Sequence, residues 1–307
     1  MATYSIVARD ATGSLGVAVQ SHWFSVGSVV PYVESGVGAV AIQSFPNPAH
    51  GPAALELLRS GIAPEEAIAD LLADDPEEAF RQIAVVDSAG HVAAHTGKSC
   101  IPEAGHRTGE AFSAQANLMD RNTVWGAMAH AFAGSPGDLA ERLLKGLEAA
   151  EAEGGDIRGR QSAAIVVVRS EPTGLPAKDR LFDLRVEDHL DPLAELRRLV
   201  QLRRVYMLLI EGDEFVAKGD IDAALTAYRM GMDMVTDEAT GGEAAFWTGV
   251  TLAAEGRVDD SLGYLERAQS QWEGWARLVP RLTHSGILPD DPPLIGRLTE
   301  RMLRAPQ

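Results

Sequence analysis

Met1-Ala2-Thr3-Tyr4-Ser5-Ile6-Val7-Ala8-Arg9-Asp10 opens the chain, and its reading decides the fold. A hydroxyl residue stands near the start, a β-branched run follows, and a charged pair stops it. Residues 4–8 have the composition of a strand. Asp10-Ala11-Thr12-Gly13 is turn chemistry, and residues 15–20 (LGVAVQ) return as a second strand, so the pair is expected to form a hairpin. If Thr3 or a neighbour is a working nucleophile, the chain up to residue 188 is its scaffold. Otherwise this is an ordinary first strand.

Working outward, residues 36–43 (GVGAVAIQ) predict a third strand, small and apolar on both faces and therefore buried on both. Its glycines lack the second half of a dinucleotide fingerprint and are read as sheet packing. Asn47-Pro48-Ala49-His50-Gly51-Pro52 is a loop that starts a helix, with Pro52 expected at the first helical position. Residues 53–60 and 64–73 have helical spacing. Residues 83–86 and 92–95 form a second hairpin around Asp87-Ser88-Ala89-Gly90. Residues 111–117 make a further strand, and 124–132 and 138–152 two helices. Residues 163–168 (AAIVVV) are a buried strand and 181–186 an edge strand. Strands in bunches, with helices in paired blocks between them, argue an α+β sheet layered with helices.

After Asp191-Pro192 the strands stop. Residues 193–209 predict a linker helix, and an internal repeat follows. Gly212 to Tyr228 aligns with Gly249 to Leu265, with Gly219 matching Gly256 at the turn. The pattern resembles the tetratricopeptide helix-turn-helix repeat, its longer spacing absorbed at Gly241-Gly242. Two repeats need caps, expected from helices 193–209 and 265–282. Two domains follow, 1–190 and an all-α 191–307.

With 44 acidic and 27 basic side chains the net charge is −17, which repels a phosphate backbone and argues against nucleic acid. Small or cationic ligands fit better. The single Cys100 excludes an intrachain disulfide and reads as a small buried hydrophobe. No apolar run approaches a membrane span and no signal-peptide pattern opens the chain, so a cytoplasmic address and no membrane partner are expected. Exposed sheet edges and repeat helices suggest a homodimer on general grounds.

Four groups of residues carry possible chemistry. Asp156, Arg158, Arg160, Gln161 and Ser162 sit in a glycine-rich loop before a buried strand. They can bind a substrate carboxylate, or Asp156 can form a structural ion pair with an arginine. Thr3 becomes a nucleophile if its own α-amine takes its proton, which requires it to be residue one. Ser5 is the rival hydroxyl, with His22 as its base. Ser21 stands beside His22, Gln43 and Asn47 offer amide donors to an oxyanion, and Lys98 can lower a neighbouring pKa. His91 and His95 flank a strand too far apart to share a metal, so neither a metal site nor a cofactor is expected.

MATYSIVARD, LGVAVQSHW, AIQSFPN with HGP, VVDSAGHVAAHTG, GGDIRGRQSAAIVVVR and LRVEDHLDPLAELRRL together resemble the domain-of-unknown-function family 1028, over about residues 1–205. That family is similar in fold to the Ntn (N-terminal nucleophile) hydrolases. The resemblance implies a four-layer αββα sandwich followed by the helical segment as an appendage. It also implies amide hydrolysis with Thr3 as nucleophile, although Ala2 precedes Thr3 here. The expected function is hydrolysis of a small amide or peptide. In that reading Thr3, Ser5, His22, Gln43 and Asn47 belong to the catalytic machinery. Ser21, Lys98, Asp156, Arg158, Arg160, Gln161 and Ser162 bind or orient the substrate. The alternative is a non-catalytic ligand-binding protein whose residues 205–282 dock a protein partner.

Overall fold

A computed structural model describes residues 3–304. Contacts divide the chain between Val200 and Gln201 into two units. The first is mixed α/β with antiparallel sheets; the second is all helical.

In the first unit β1 (Thr3–Arg9) and β2 (Leu15–Ser21) form the expected hairpin. Asp10 closes it by accepting from the Thr12 and Ser14 amides at 2.9 and 3.0 Å, with Gly13 at φ 86°. β3 (Pro31–Glu34) and β4 (Gly38–Ser44) follow, then α1 (His50–Arg59) and α2 (Pro64–Leu72). β5 (Arg81–Asp87) and β6 (Val92–Thr96) repeat the turn device, Asp87 accepting from the Ala89 and His91 amides with Gly90 at φ 94°. Next come β7 (Gly105–Gly109), β8 (Phe112–Asn117), α3 (Val124–Gly134), α4 (Leu139–Ala152), β9 (Ser162–Val168), the short α5 (Pro176–Asp179) and β10 (Arg180–Val186).

Six strands form one sheet in the order β10-β9-β2-β1-β8-β7, and four form the other in the order β3-β4-β5-β6. Helices α3 and α4 pack on the first sheet, α1 and α2 on the second, and β1 and β2 meet β4 across the space between the sheets. Val7, Val17, Val19, Ala39, Ala41, Ala84 and Val86 fill that space. Val40, Ile42 and Ile83 point the other way, into Leu55 and Leu58 of α1. β4 is thus buried on both faces. Gly38 lets α1 approach: a Cβ there would stand 2.4 Å from Leu58 Cδ1 and 2.7 Å from the Val86 carbonyl.

Several boundaries differ from expectation. The third strand begins at Gly38, because Gly36 at φ 72° belongs to the turn before it. Helix α1 starts at His50, placing Pro52 at its third residue; the Asn47 side chain accepts from the Ala49 amide and turns the chain earlier. β3 and β7 were not expected. β7 is an edge strand of sequence GHRTG, whose largely exposed side chains carry no apolar alternation.

The second unit holds most of α6 (Pro192–Ala217), then α7 (Ile221–Met234), α8 (Glu243–Ala254), α9 (Val258–Gln271), α10 (Gly274–Leu278) and α11 (Pro292–Leu303). The helix expected over 193–209 as a separate cap runs on to Ala217 as one helix with the segment from Gly212, while the two aligned glycines fall at matching turns. α6 and α8 end just before Gly219 and Gly256, whose φ angles are 77° and 76°. α7 and α9 then start two residues on. Asp220 caps α7 by accepting from the Ala223 amide, whereas Arg257 at the matching position makes no such bond. The expected helix 265–282 is broken instead. α9 stops at Gln271, Trp272 is extended, and Val279, Leu282, Leu298 and Met302 complete the core. Among the described residues no helix is long and apolar enough to cross a membrane.

Candidate functional site

Strand alternation puts Thr3, Ser5 and Val7 on the face of β1 that looks toward the other sheet. The same face of β8 carries Asn117 and Gln115, in register with Thr3 and Ser5. Across the gap, Gln43 of β4 and Gln82 of β5 are a cross-strand pair. The layer between the sheets is therefore apolar at the Val7 end and polar at the Thr3 end. Thr3, Ser5, Ser21, Gln43, Gln82, Gln115 and Asn117 are each no more than 1% exposed.

A buried amide survives only if it is hydrogen-bonded, and here the amides bond one another. Gln43 Nε2 donates to the Thr3 carbonyl at 3.1 Å and to Gln82 Oε1 at 2.7 Å. Its Oε1 accepts from Ser5 Oγ at 2.6 Å, and Ser5 Oγ in turn accepts from Gln115 Nε2 at 2.7 Å. Asn117 Nδ2 donates to Gln82 Oε1 at 2.9 Å. Gln82 Nε2 reaches the Ala116 carbonyl at 2.9 Å and Thr96 Oγ1 at 3.0 Å. Thr96 Oγ1 also bonds His106 Nδ1 at 2.9 Å, the first titratable group along this path. Burial holds the His106 imidazole below its usual pKa. Thr3 Oγ1 donates to Ser21 Oγ at 3.2 Å. The described side chains that hydrogen-bond to Thr3, those of Ser21, Gln43 and Asn117, are all neutral.

Behind β1 the chemistry is charged. Tyr4 donates its hydroxyl to Glu151 Oε2 at 2.7 Å, and Gln20 Nε2 donates to the same oxygen at 3.1 Å. Burial and then Glu151 hold the Tyr4 phenol well above its ordinary pKa, so it stays protonated. Arg160 lies 3.7 Å from Glu151 and 3.5 Å from Asp191.

Asp156 is buried beneath the 154–162 loop. It accepts from the His22 amide at 2.9 Å, from the Arg158 amide at 2.9 Å, and from Arg158 Nε and Nη2 at 3.1 and 2.9 Å. The pair Asp156–Arg158 is the structural ion pair weighed against substrate binding. Gln161 bonds the Ser21 carbonyl through its amide and Asp188 through its side chain. Buried Ser162 accepts from the Val26 amide at 3.0 Å and donates to the Trp23 carbonyl.

The structure brings Thr3, Ser5, Ser21 and Gln43 together. It does not join Ser5 to His22: Ser5 Oγ bonds Gln43 and Gln115, while the exposed His22 is held through its backbone. Asn47 points elsewhere, its Nδ2 3.3 Å from His50 Nε2. There His50 lies 3.3 Å from Asp75, which Arg81 grips through Nε at 2.8 Å and Nη2 at 3.1 Å. Lys98 is exposed after β6, and Cys100 is buried against the Arg81 carbonyl. Sequence reading missed Gln82, Gln115 and Asn117. The signal was a polar residue at every second position of FSAQAN. Among the described residues no cluster of three or more His, Cys, Asp or Glu could hold a metal ion.

Residues 3–196 match the model of a family of unknown function, DUF1028. The crystal structure of a Silicibacter pomeroyi protein of that family is similar to this chain, with a TM-score of 0.60 and 34% sequence identity. The similarity covers 66% of this chain and 85% of that one. No curated protein matches.

Proposed function

The chain belongs to the DUF1028 family, and on that premise we propose an amidohydrolase of the N-terminal-nucleophile type, cleaving a small amide or peptide with the Thr3 hydroxyl. One observation carries the reading. Thr3 Oγ1 meets the Ser21 hydroxyl, and among the described residues no basic side chain hydrogen-bonds to it. A threonine attacks a carbonyl only if something takes its proton. The α-amine of Thr3, with a pKa of about 7.7–8.0 once free, is suited to do so. Freeing it requires loss of Met1 and Ala2, which lie outside the described residues.

In this reading the amine accepts the Oγ1 proton as Oγ1 bonds to the substrate carbonyl carbon. The tetrahedral oxyanion collapses, and the departing amine leaves with that proton. Water then adds to the Thr3 ester, releasing the acid and restoring the hydroxyl. Ser21 orients Oγ1, and Gln43 Nε2, whose two protons go to the Thr3 carbonyl and Gln82, serves the oxyanion only by giving up one of those bonds. Arg160, part exposed beside the Tyr4–Glu151 pair, is the loop residue best placed to meet a substrate carboxylate, while Asp156 and Arg158 hold the loop. Two facing sheets between helix pairs support an αββα sandwich as the finer fold, and the glycine turns after α6 and α8 support a tetratricopeptide-like second unit.

Intact-mass and N-terminal analysis of the purified protein, paired with amine release from a panel of small amides and dipeptides, tests the proposal. A Thr3 start with turnover supports it. A chain still beginning at Met1 or Ala2 that releases no amine sinks it.

A second reading rests on a different observation: the side-chain amides of Gln43, Gln82, Gln115 and Asn117 are all spent on one another, on backbone carbonyls or on the Ser5 and Thr96 hydroxyls. A layer so satisfied suits a binding protein that performs no chemistry, with residues 205–282 as a partner surface. Ligand retention without turnover distinguishes it.

A further inference from the structure

A cavity of about 590 Å³ opens where β1 ends, six residues from Thr3 and so about 20 Å along the strand. Arg9, Arg107 and Arg142 line it, together with Asp10, Glu110 and His130. The chain is strongly acidic overall and pairs most of its arginines with carboxylates, yet among the described residues no carboxylate lies within ion-pair distance of these three.

Each arginine is short of acceptors. Arg9 Nη1 reaches only the Asp10 carbonyl at 3.2 Å, and its buried Nε has no partner. Arg142 is fixed in place, its guanidinium 4.3 Å over the Phe132 ring and its Nε donating to the Phe132 carbonyl at 3.3 Å. Its two Nη groups make no hydrogen bond to the described residues. Arg107 stands on edge strand β7, exposed, and its side chain makes no hydrogen bond to the described residues. Asp10 keeps its charge but makes no ion pair with any of the three, its Oδ1 accepting from the amides of the hairpin turn. Phe112 and Ala129 supply an apolar floor.

We propose that this cavity binds a small organic anion, its carboxylate or phosphoryl oxygens held by Arg107 and Arg142 with Arg9 behind them, and its carbon skeleton laid on Phe112 and Ala129. Guanidinium groups bind both oxyanions through paired N–H donors, so the two sources share one chemistry. The site is separate from Thr3 and does not depend on amide hydrolysis.

Thermal unfolding of the full chain with inorganic phosphate, citrate or neutral glycerol reads binding as a saturable rise in Tm. One or both anions are expected to saturate in the millimolar range or below, and glycerol to do nothing. Tighter citrate points to a carboxylate ligand, tighter phosphate to a phosphoryl one. Arg107→Gln and Arg142→Gln should each weaken binding at least tenfold, and Arg297→Gln, a charge-matched change at an ion pair with Asp259, should not. Arg142 also packs on Phe132, so the exposed Arg107 variant keeps the test independent of folding. The proposal is overturned if neither anion saturates, or if Arg107→Gln leaves the affinity of either unchanged.

Discussion

Gln43 Nε2 donates to the carbonyl of Thr3 at 3.1 Å, tying the second-to-last residue of β4 in one sheet to the first residue of β1 in the other. The same amide reaches Gln82 at 2.7 Å, so the two sheets are stitched at this end by hydrogen bonds rather than by apolar packing. Breaking such a network strands buried donors and acceptors, which costs more than the bonds' net worth.

Gln82 is the most connected member, with bonds to Gln43, Asn117, Thr96 and the Ala116 carbonyl. Gln82→Leu should therefore destabilise the fold by about 2–4 kcal/mol. Urea unfolding measures it. A loss below about 0.5 kcal/mol, the scale of an ordinary surface change, would contradict the network.

Thr3→Ala removes only one exposed-to-nothing hydroxyl bonded to Ser21 and should keep the fold. If Thr3 is the nucleophile, amine release falls at least about a thousandfold, and Thr3→Ser recovers part of it. Equal rates in all three proteins would eliminate Thr3 from the chemistry.

Asp156→Asn keeps the shape of the side chain but removes the charge facing Arg158, whose side chain is 34% exposed. Partial exposure discounts the pair, so about 1–3 kcal/mol is expected. Hydrogen exchange should quicken at the His22 and Arg158 amides, which Asp156 now holds. Unchanged protection there would mean the loop stands without it.

His50 supplies a pH dependence. Burial lowers its pKa, Asp75 opposes this and Arg81 adds to it. An unfolded histidine titrates near 6.5, so the folded state binds fewer protons. Stability is full above about pH 6.5 and falls as the pH drops through the lower folded value. Asp75 is held down first by its hydrogen bonds from Arg81, so its share is present above about pH 3.9 and lost only as the pH falls through its own depressed value. Urea midpoints between pH 7 and 5 should therefore decline less steeply in His50→Gln than in the parent. Parallel slopes would remove His50 as the cause.

The chain's own order of residues determined the local structure. Asp10-Ala11-Thr12-Gly13 and Asp87-Ser88-Ala89-Gly90 specify both hairpins because an aspartate bonding the next amides and a glycine at positive φ need no distant partner. The turns at Gly219 and Gly256 are local for the same reason. Thr3, Ser21 and Gln43 were legible because they end strands. Gln82, Gln115 and Asn117 were not, because polar residues at alternate strand positions ordinarily face water. Here helices cover the outer faces, so the polar positions turn into the space between the sheets. Only the tertiary structure placed β9 beside β2 and Gln43 over Thr3. Those meetings depend on how two sheets stack, and no interaction between neighbours along the chain encodes that.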